Sequence, residues 1–451
     1  MSDLSRRSLL AGGAALLLTG CSSEEKKPLI NEEDAQPGFE LPGAAPKAAL
    51  RAILERRARA VRDRDEAAFL ADLDLDQSQA ALVKQQKMLF GNLRQFTFKT
   101  FDYVIPESVI EPKVKDGLFL FPVAAIEQFP IDDAGTGALP GEMFQYTVRE
   151  ENGKYLIRDI VAKTSKNYAA LDVAGPFAEE PWNTTPLTVI KVGDIWLAAD
   201  ASVTDLSTYA RAANAEAEQI DKLWGDRTRY PGTLLFFTRD EESFRTWYGF
   251  GEASNFKDTI EGIAPFSTGL RTNGSPFDGQ FTGSRVVMNL QRIDAFDDDP
   301  RRVMRHELAH GITARARNAG FTLGNETSDV PRWAVEGFAR WTETVGNPKR
   351  AAAVLRYARQ GFTGRLPRSK DFYGKKMGQH YAVGATAFLF AEKLKGTAAA
   401  VDFYAAVIQH TDVADLVVAE LPVFSGICRS VLGLDSTAFY RQWSGFVRNG
   451  R

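Results

Sequence analysis

The sequence predicts an α+β protein in two parts, on three observations. Apolar residues at three- and four-residue steps from Lys47 to about Leu93 are followed by alternating, strand-like segments up to Val161. Short apolar strands around one long helix then fill Leu187 to Leu290, and after Asp299 the periodicity is almost wholly helical. At 451 residues, 44% apolar and 25% charged, the chain can build more than one packed core.

The opening stretch, SRRSLLAGGAALLLTGC, sets paired arginines before an apolar run, Leu9 to Leu18, that is too short to span a bilayer. It resembles a bacterial lipoprotein signal: Leu18-Thr19-Gly20-Cys21 matches the lipobox, and Ser5-Arg6-Arg7 followed by Leu9-Leu10 is similar to a twin-arginine export signal. The resemblance implies a signal peptide over residues 1–21, a lipidated Cys21, and a place on the extracytoplasmic side of the cell membrane. Cys428 is then the one thiol left, so no internal disulfide forms. Residues 22–46 are polar, charged and rich in Pro and Gly, which predicts a flexible tether. The net charge of −3, more negative still without Arg6 and Arg7, argues against a nucleic-acid partner.

Residues 47–166 form the first part. Leu50, Ile53, Leu54, Ala58 and Val61 line one helix face, and a second helix runs from Gln77 to about Leu93. Strands are predicted at Phe96–Val104, Leu118–Phe129, Met143–Arg149 and Lys154–Val161, the last two joined by Glu151-Asn152-Gly153. This order resembles the NTF2-like cone, whose usual concavity implies room for a small ligand. The loop-like stretch from Asn167 to Pro186 marks a boundary, and residues 187–451 form the second part. Its strands are Leu187–Val192, Ile195–Ala199, Leu234–Phe237, Ile263–Phe266 and Arg285–Leu290, with a helix over Thr204–Trp224.

Two of the four histidines lie in RHELAHG, Arg305 to Gly311, on a helix that Asp299 caps and Pro300 opens. Four residues turn a helix by about 400°, so His306 and His310 share a face and can converge on one ion. Glu307 beside them is placed to take a proton from a water. Catalytic zinc needs a third protein ligand and an open position, and Glu336, in PRWAVEGFARWTE on the next helix, is the candidate. The alternative is two histidines packed into an ordinary helix pair. His410, at a helix end, and buried Cys428 receive no site role.

His306-Glu307-Leu308-Ala309-His310 followed by Trp333-Ala-Val-Glu336-Gly337-Phe-Ala339 resembles the peptidase MA-like branch of the gluzincin zinc metallopeptidases. The resemblance implies a zincin-like domain with a small mixed sheet and a mainly helical C-terminal half. It makes His306, His310 and Glu336 ligands of Zn2+ and Glu307 the general base in hydrolysis of a peptide or protein substrate. Tyr381, or His380 beside it, is expected to support the oxyanion. Val286 to Leu290 is expected to hold an extended substrate as an edge strand, with Asn289 its polar position.

Two features depart from that pattern. Twenty-five residues separate His310 from Glu336, more than in thermolysin-like relatives. Arg340 stands where many members carry an Asp that orients a zinc histidine. Glu343, one turn on, is a substitute, and Arg340 is a candidate to meet a substrate carboxylate. A second function class stays open: a non-catalytic envelope lipoprotein that uses a zincin fold as a binding scaffold.

Overall fold

The structure is a computed structural model, and it describes residues 43–106, 113–132, 137–163, 179–248, 260–265, 267–316, 328–413 and 416–450. The leader with Cys21, the tether up to residue 42, much of the expected boundary (164–178) and the stretch 317–327 lie outside the described residues.

Helix α1 (Ala44–Asp63) buries the predicted stripe of Leu50, Ile53, Leu54, Ala58 and Val61. After the short α2 (Glu66–Leu70), α3 (Ala80–Leu93) packs Leu82, Leu89, Phe90 and Leu93 into the same core. The sheet beneath these helices contains β1 (Thr100–Val104), β2 (Lys113–Lys115), β3 (Leu118–Gln128), β4 (Leu139–Glu151) and β5 (Lys154–Ala162). All their pairings are antiparallel. Asn152 and Gly153 turn the β4–β5 hairpin at φ of 52° and 75°, the left-handed pair that a two-residue hairpin favours. Between these layers, Gln86, Leu89, Tyr103, Tyr146 and Asn183 line a cavity of about 20 Å3, room for about one water.

The second sheet is built from β6 (Thr188–Val192), β7 (Ile195–Ala199), β8 (Thr233–Thr238), β9 (Gly262–Ile263) and β12 (Arg285–Asn289), with α4 (Leu206–Trp224) and α5 (Glu241–Thr246) between strands. Its order is β6-β7-β8-β12-β9, parallel at β7–β8 and β8–β12 and antiparallel at its two ends. The expected edge strand is therefore interior. Residues 286–289 lie between β8 and β9, because the adjacent Gly262–Ile263 pairs with Val287 and Met288 and takes the edge. No apolar pattern announces β10 (Ser267–Leu270) and β11 (Pro276–Thr282), which sequence reasoning missed. This hairpin leaves the second sheet and joins the first, Gly269 and Leu270 pairing with Pro140 and Leu139 of β4.

Both faces of the second sheet are buried at its three central strands, β7, β8 and β12, which is why these strands read as apolar runs. Ile195, Leu197, Leu235, Phe237, Val286 and Met288 face the helical core, while Trp196, Ala198, Leu234, Phe236 and Val287 face the first part of the chain. The helical side comprises α6 (Leu290–Ala295), α7 (Pro300–Thr313), α8 (Arg332–Thr342), α9 (Pro348–Arg359), α10 (Met377–Lys395), α11 (Thr397–Val407), α12 (Pro422–Ile427) and α13 (Ser436–Asn449). A short pair, β13 (Ser328–Asp329) with β14 (Asp412–Val413), joins two of its loops. Cys428 is buried and free in this core. Among the described residues, no helix is long and apolar enough to cross a membrane.

Three glycines let two pairs of these elements come unusually close. A Cβ on Gly311 would overlap Ser284 Oγ, so the residue after His310 seats α7 against the start of β12. Gly337 and Gly384 face each other where α8 crosses α10, and a Cβ on Gly384 would overlap the Trp333 carbonyl oxygen. Overpacking such a contact costs about 1–3 kcal/mol.

Polar groups stitch the two parts together. Arg285 of β12 makes a fully buried bidentate pair with Asp132, 2.8 and 3.1 Å, and breaking such a pair by removing one partner costs about 3–5 kcal/mol. Asn92 of α3 donates to the carbonyls of Trp182 and Thr185, both at 2.8 Å, and accepts from the Leu187 N–H. Nearby, Glu142 accepts from the Glu180 N–H and from Asn183, whereas Oε2 of buried Glu127 has no hydrogen-bond partner among the described residues.

Burial pushes the Glu127 carboxyl up to about 8, and Glu142 moves in the same direction. The folded chain thus keeps a proton that an unfolded glutamate releases above about pH 4.3, so stability falls as pH rises from there to about 8. Glu127→Gln is expected to flatten this slope. Urea unfolding at pH 5, 6.5 and 8 measures it, and an unchanged slope would show that Glu127 is not its source.

Candidate metal centre

Helix α7 begins where the sequence places it, with Asp299 accepting from the Arg301 N–H at 2.9 Å and Pro300 in the first turn. Its inner face carries His306, Glu307 and His310, each buried to within 8%. The second turn of α8 brings Glu336, equally buried, against the two rings.

Three ligand atoms meet there. His306 Nε2 and His310 Nε2 are 3.2 Å apart, and Glu336 Oε2 lies 3.1 Å from the second and 3.4 Å from the first. Tetrahedral zinc with bonds of about 2.0–2.1 Å holds its ligand atoms about 3.3 Å apart, so the triangle has the dimensions of one face of that tetrahedron. Two imidazoles and one carboxylate are also a donor set that suits zinc. His306, His310 and Glu336 form the candidate cation site among the described residues.

The electrostatics favour a cation in this triangle. Burial works against charge on His306, but the hydrogen bonds with Glu336 and Glu343 outweigh it and lift its pKa to about 9. Burial likewise opposes the Glu336 charge, yet His310 and His306 hold that carboxyl well below its ordinary range. Burial pushes Glu307 up to about 7.

Two of the three candidate ligands, His306 and Glu336, are each oriented by a second group. His306 Nδ1 donates to Glu343 Oε1 at 3.0 Å, which turns Nε2 and its lone pair toward the triangle. The Glu343 side chain is fully buried, and it accepts from Arg340 at 2.8 Å, Arg350 at 2.9 Å and Arg302 at 3.4 Å. Burial alone would raise its pKa, but the hydrogen bond from His306 and the charges of Arg340 and Arg302 hold the carboxyl well below the ordinary range. Glu336 is fixed from the other side, its Oε1 accepting from the Tyr373 hydroxyl at 2.6 Å, which leaves Oε2 for the rings. Arg332 lies over the Tyr373 ring at 4.6 Å.

The other expected residues take different places. Tyr381 stacks on His306, ring centroids 5.7 Å apart, and burial with the Glu336 charge keeps its hydroxyl protonated. His380 turns away and donates from Nδ1 to the Phe372 carbonyl at 2.8 Å. Arg340 directs its Nη1 to both oxygens of Glu343. Asn289 is 1% exposed, and its Oδ1 caps α6 by accepting from the Arg292 N–H. It reaches the edge only through its backbone N–H, which donates to the Glu261 carbonyl.

Sequence reasoning missed Tyr373 and Gly262. Tyr373 lies in a turn with no periodic signal. Gly262 of β9 runs directly beside the proposed base, and a Cβ there would fall 2.8 Å from Glu307 Cγ and 3.2 Å from its Oε1.

No protein-family profile matches the chain, and no curated protein is similar to it. Among solved structures it is similar to the M1 zinc metallopeptidase from Deinococcus radiodurans, at 14% identity and a TM-score of 0.35, covering 75% of this chain and 73% of that one. It is also similar to a two-domain M1 zinc metallopeptidase mutant bound to L-arginine, at 14% identity and a TM-score of 0.33, covering 66% of this chain. The chain spans 59% of that protein's length. Both likenesses are low, and the geometry of the site carries the functional reading.

The Glu343 contact yields a direct test. Glu343→Gln keeps the shape but loses the charge that fixes His306, so zinc affinity is expected to fall about 10- to 100-fold. Competition against a zinc chelator reads this, and wild-type affinity in the variant would remove Glu343 from the site.

Proposed function

We propose that the chain is a zinc-dependent peptidase of the gluzincin type, exported and held at the outer face of the cell membrane by lipid on Cys21. The observation that carries the catalytic part is the triangle of His306, His310 and Glu336 with Glu307 beside it. A zinc ion bound there would act as a Lewis acid and lower the pKa of a water it holds to about 7.

The chain's own residues do the rest. Glu307, the next residue after a ligand and on the same face, takes the proton of the attacking water and returns it to the leaving amine. Tyr381, kept protonated, donates to the carbonyl oxygen as charge develops on it. The free side of β9 offers main-chain groups to an extended peptide, in the role expected from sequence for β12. Glu343 supports the catalytic reading over the scaffold, since it supplies the carboxylate partner that position 340 lacks.

The test begins with metal analysis, which should find one zinc per chain. Peptide-library digestion should then show cleavage by the wild type, and Glu307→Gln should lose about 10²- to 10⁴-fold in kcat with zinc retained. Bound zinc with no cleavage by the wild type would favour the scaffold. Gly262→Ala, which pushes on the Glu307 carboxylate, is expected to cost up to about 100-fold in kcat at unchanged zinc content. Undiminished kcat would mean that Glu307 tolerates displacement and is not the base.

A further inference from the structure

Between Pro348 and Lys376 the chain carries nine lysines and arginines and a single acid, Asp371, although the protein as a whole has a net charge of −3. This segment is a wall of the metal centre. Tyr373 holds Glu336, Arg350 holds Glu343, and the Tyr357 hydroxyl of α9 would lie 3.3 Å from a Cβ on Gly378 at the start of α10. The outer face of α9, the turn around Tyr373 and the first turn of α10 therefore form one surface next to the site.

Part of that charge serves the fold. Arg350 is committed to Glu343, and Arg359 donates to the Val447 carbonyl. Lys349, Arg356, Lys375 and Lys376 are exposed. Lys375 and Lys376 stand at the N-terminus of α10, where the helix dipole disfavours cations, and its first turn holds no acid to offset them. At the start of α7 the balance reverses: Asp297 and Asp299 are exposed, Asp298 and Glu261 share Arg302, and Arg301 and Arg305 pair with Glu216.

We propose that the basic surface receives aspartate and glutamate residues of an extended polypeptide substrate, on one flank of the bond that is cut. The charge complements such a chain, and the acids at the start of α7 confine the preference to a single flank. This inference rests on the peptidase reading.

The test uses quenched fluorescent decapeptides that share one cleavable centre and carry three acidic residues on the N-terminal flank, on the C-terminal flank, or nowhere. One acid-flanked peptide is expected to exceed the neutral one in kcat/KM by about tenfold at low salt, the sum of a few exposed pairs. The advantage should shrink at 0.5 M salt. The double variant K375E/K376E should bring the two peptides within about twofold while cleaving the neutral peptide as before. Its thermal midpoint should not fall, because glutamates suit that helix end. Equal rates on all three peptides, or an advantage that survives the double variant, would overturn the proposal. So would salt-sensitive binding of Cys21→Ser full-length chain to phosphatidylglycerol vesicles, lost in the double variant, without any acidic preference among peptides. If the wild type cleaves no peptide, the peptidase reading fails separately. Fluorescence anisotropy of the labelled peptides on Glu307→Gln protein then still decides the surface: acid-selective binding lost in K375E/K376E supports it, and equal binding of acidic and neutral peptides ends it.

Discussion

A fully buried carboxylate organises the C-terminal part of the chain. Glu343 takes one hydrogen bond from His306 and faces guanidinium groups from three places: Arg302 on α7, Arg340 on its own chain turn and Arg350 on α9. An unpaired carboxylate at that depth would cost several kcal/mol, so the arginines must be present for the acid to stay charged. Their presence also ties α7, α8 and α9 to one point. The orientation of His306, and with it the size of the ligand triangle, is set by an ion network that lies outside the triangle itself.

Helix position is set in part by residues that lack side chains. Gly311 lets α7 settle on the start of β12, and the Gly337–Gly384 contact lets α8 lie on α10 with backbones nearly touching. Tight backbone contacts leave little freedom for sliding, so the distance between the histidines on α7 and Glu336 on α8 is held by the core as well as by Glu343. Trp333, Phe338 and Phe388 fill the space around that crossing.

How much of this the sequence disclosed depends on the range of the physics involved. His306, Glu307, His310 and Glu336 were legible because helical spacing and caps are local, and Asp299 and Pro300 mark the start of α7 without reference to the rest of the chain. Strands such as Ile195–Ala199 were legible as apolar runs. Their neighbours were not, since an apolar run states that both faces are buried and says nothing of strand order; β12 was misplaced at the edge for this reason. Arg340 read as a lost orienting acid because the family pattern places the acid at that spacing, while one further turn of chain carries Glu343 to the same imidazole. Tyr373 and Gly262 act through contacts that exist only after the chain has folded.

The strand order gives the first part of the chain a mechanical connection to the site. β9, which lies against Glu307, is only two residues long, too short to hold itself in place by its own pairing with β12. Four residues later the same chain enters β10 and pairs with β4 of the first sheet, while Arg285, at the start of β12, is locked to Asp132. The edge strand is thus clamped from both sides by groups that belong to, or bond with, the N-terminal part. A buried sheet face and a short strand beside Glu307 both require that layer, so the N-terminal part acts as structural support for the candidate metal centre.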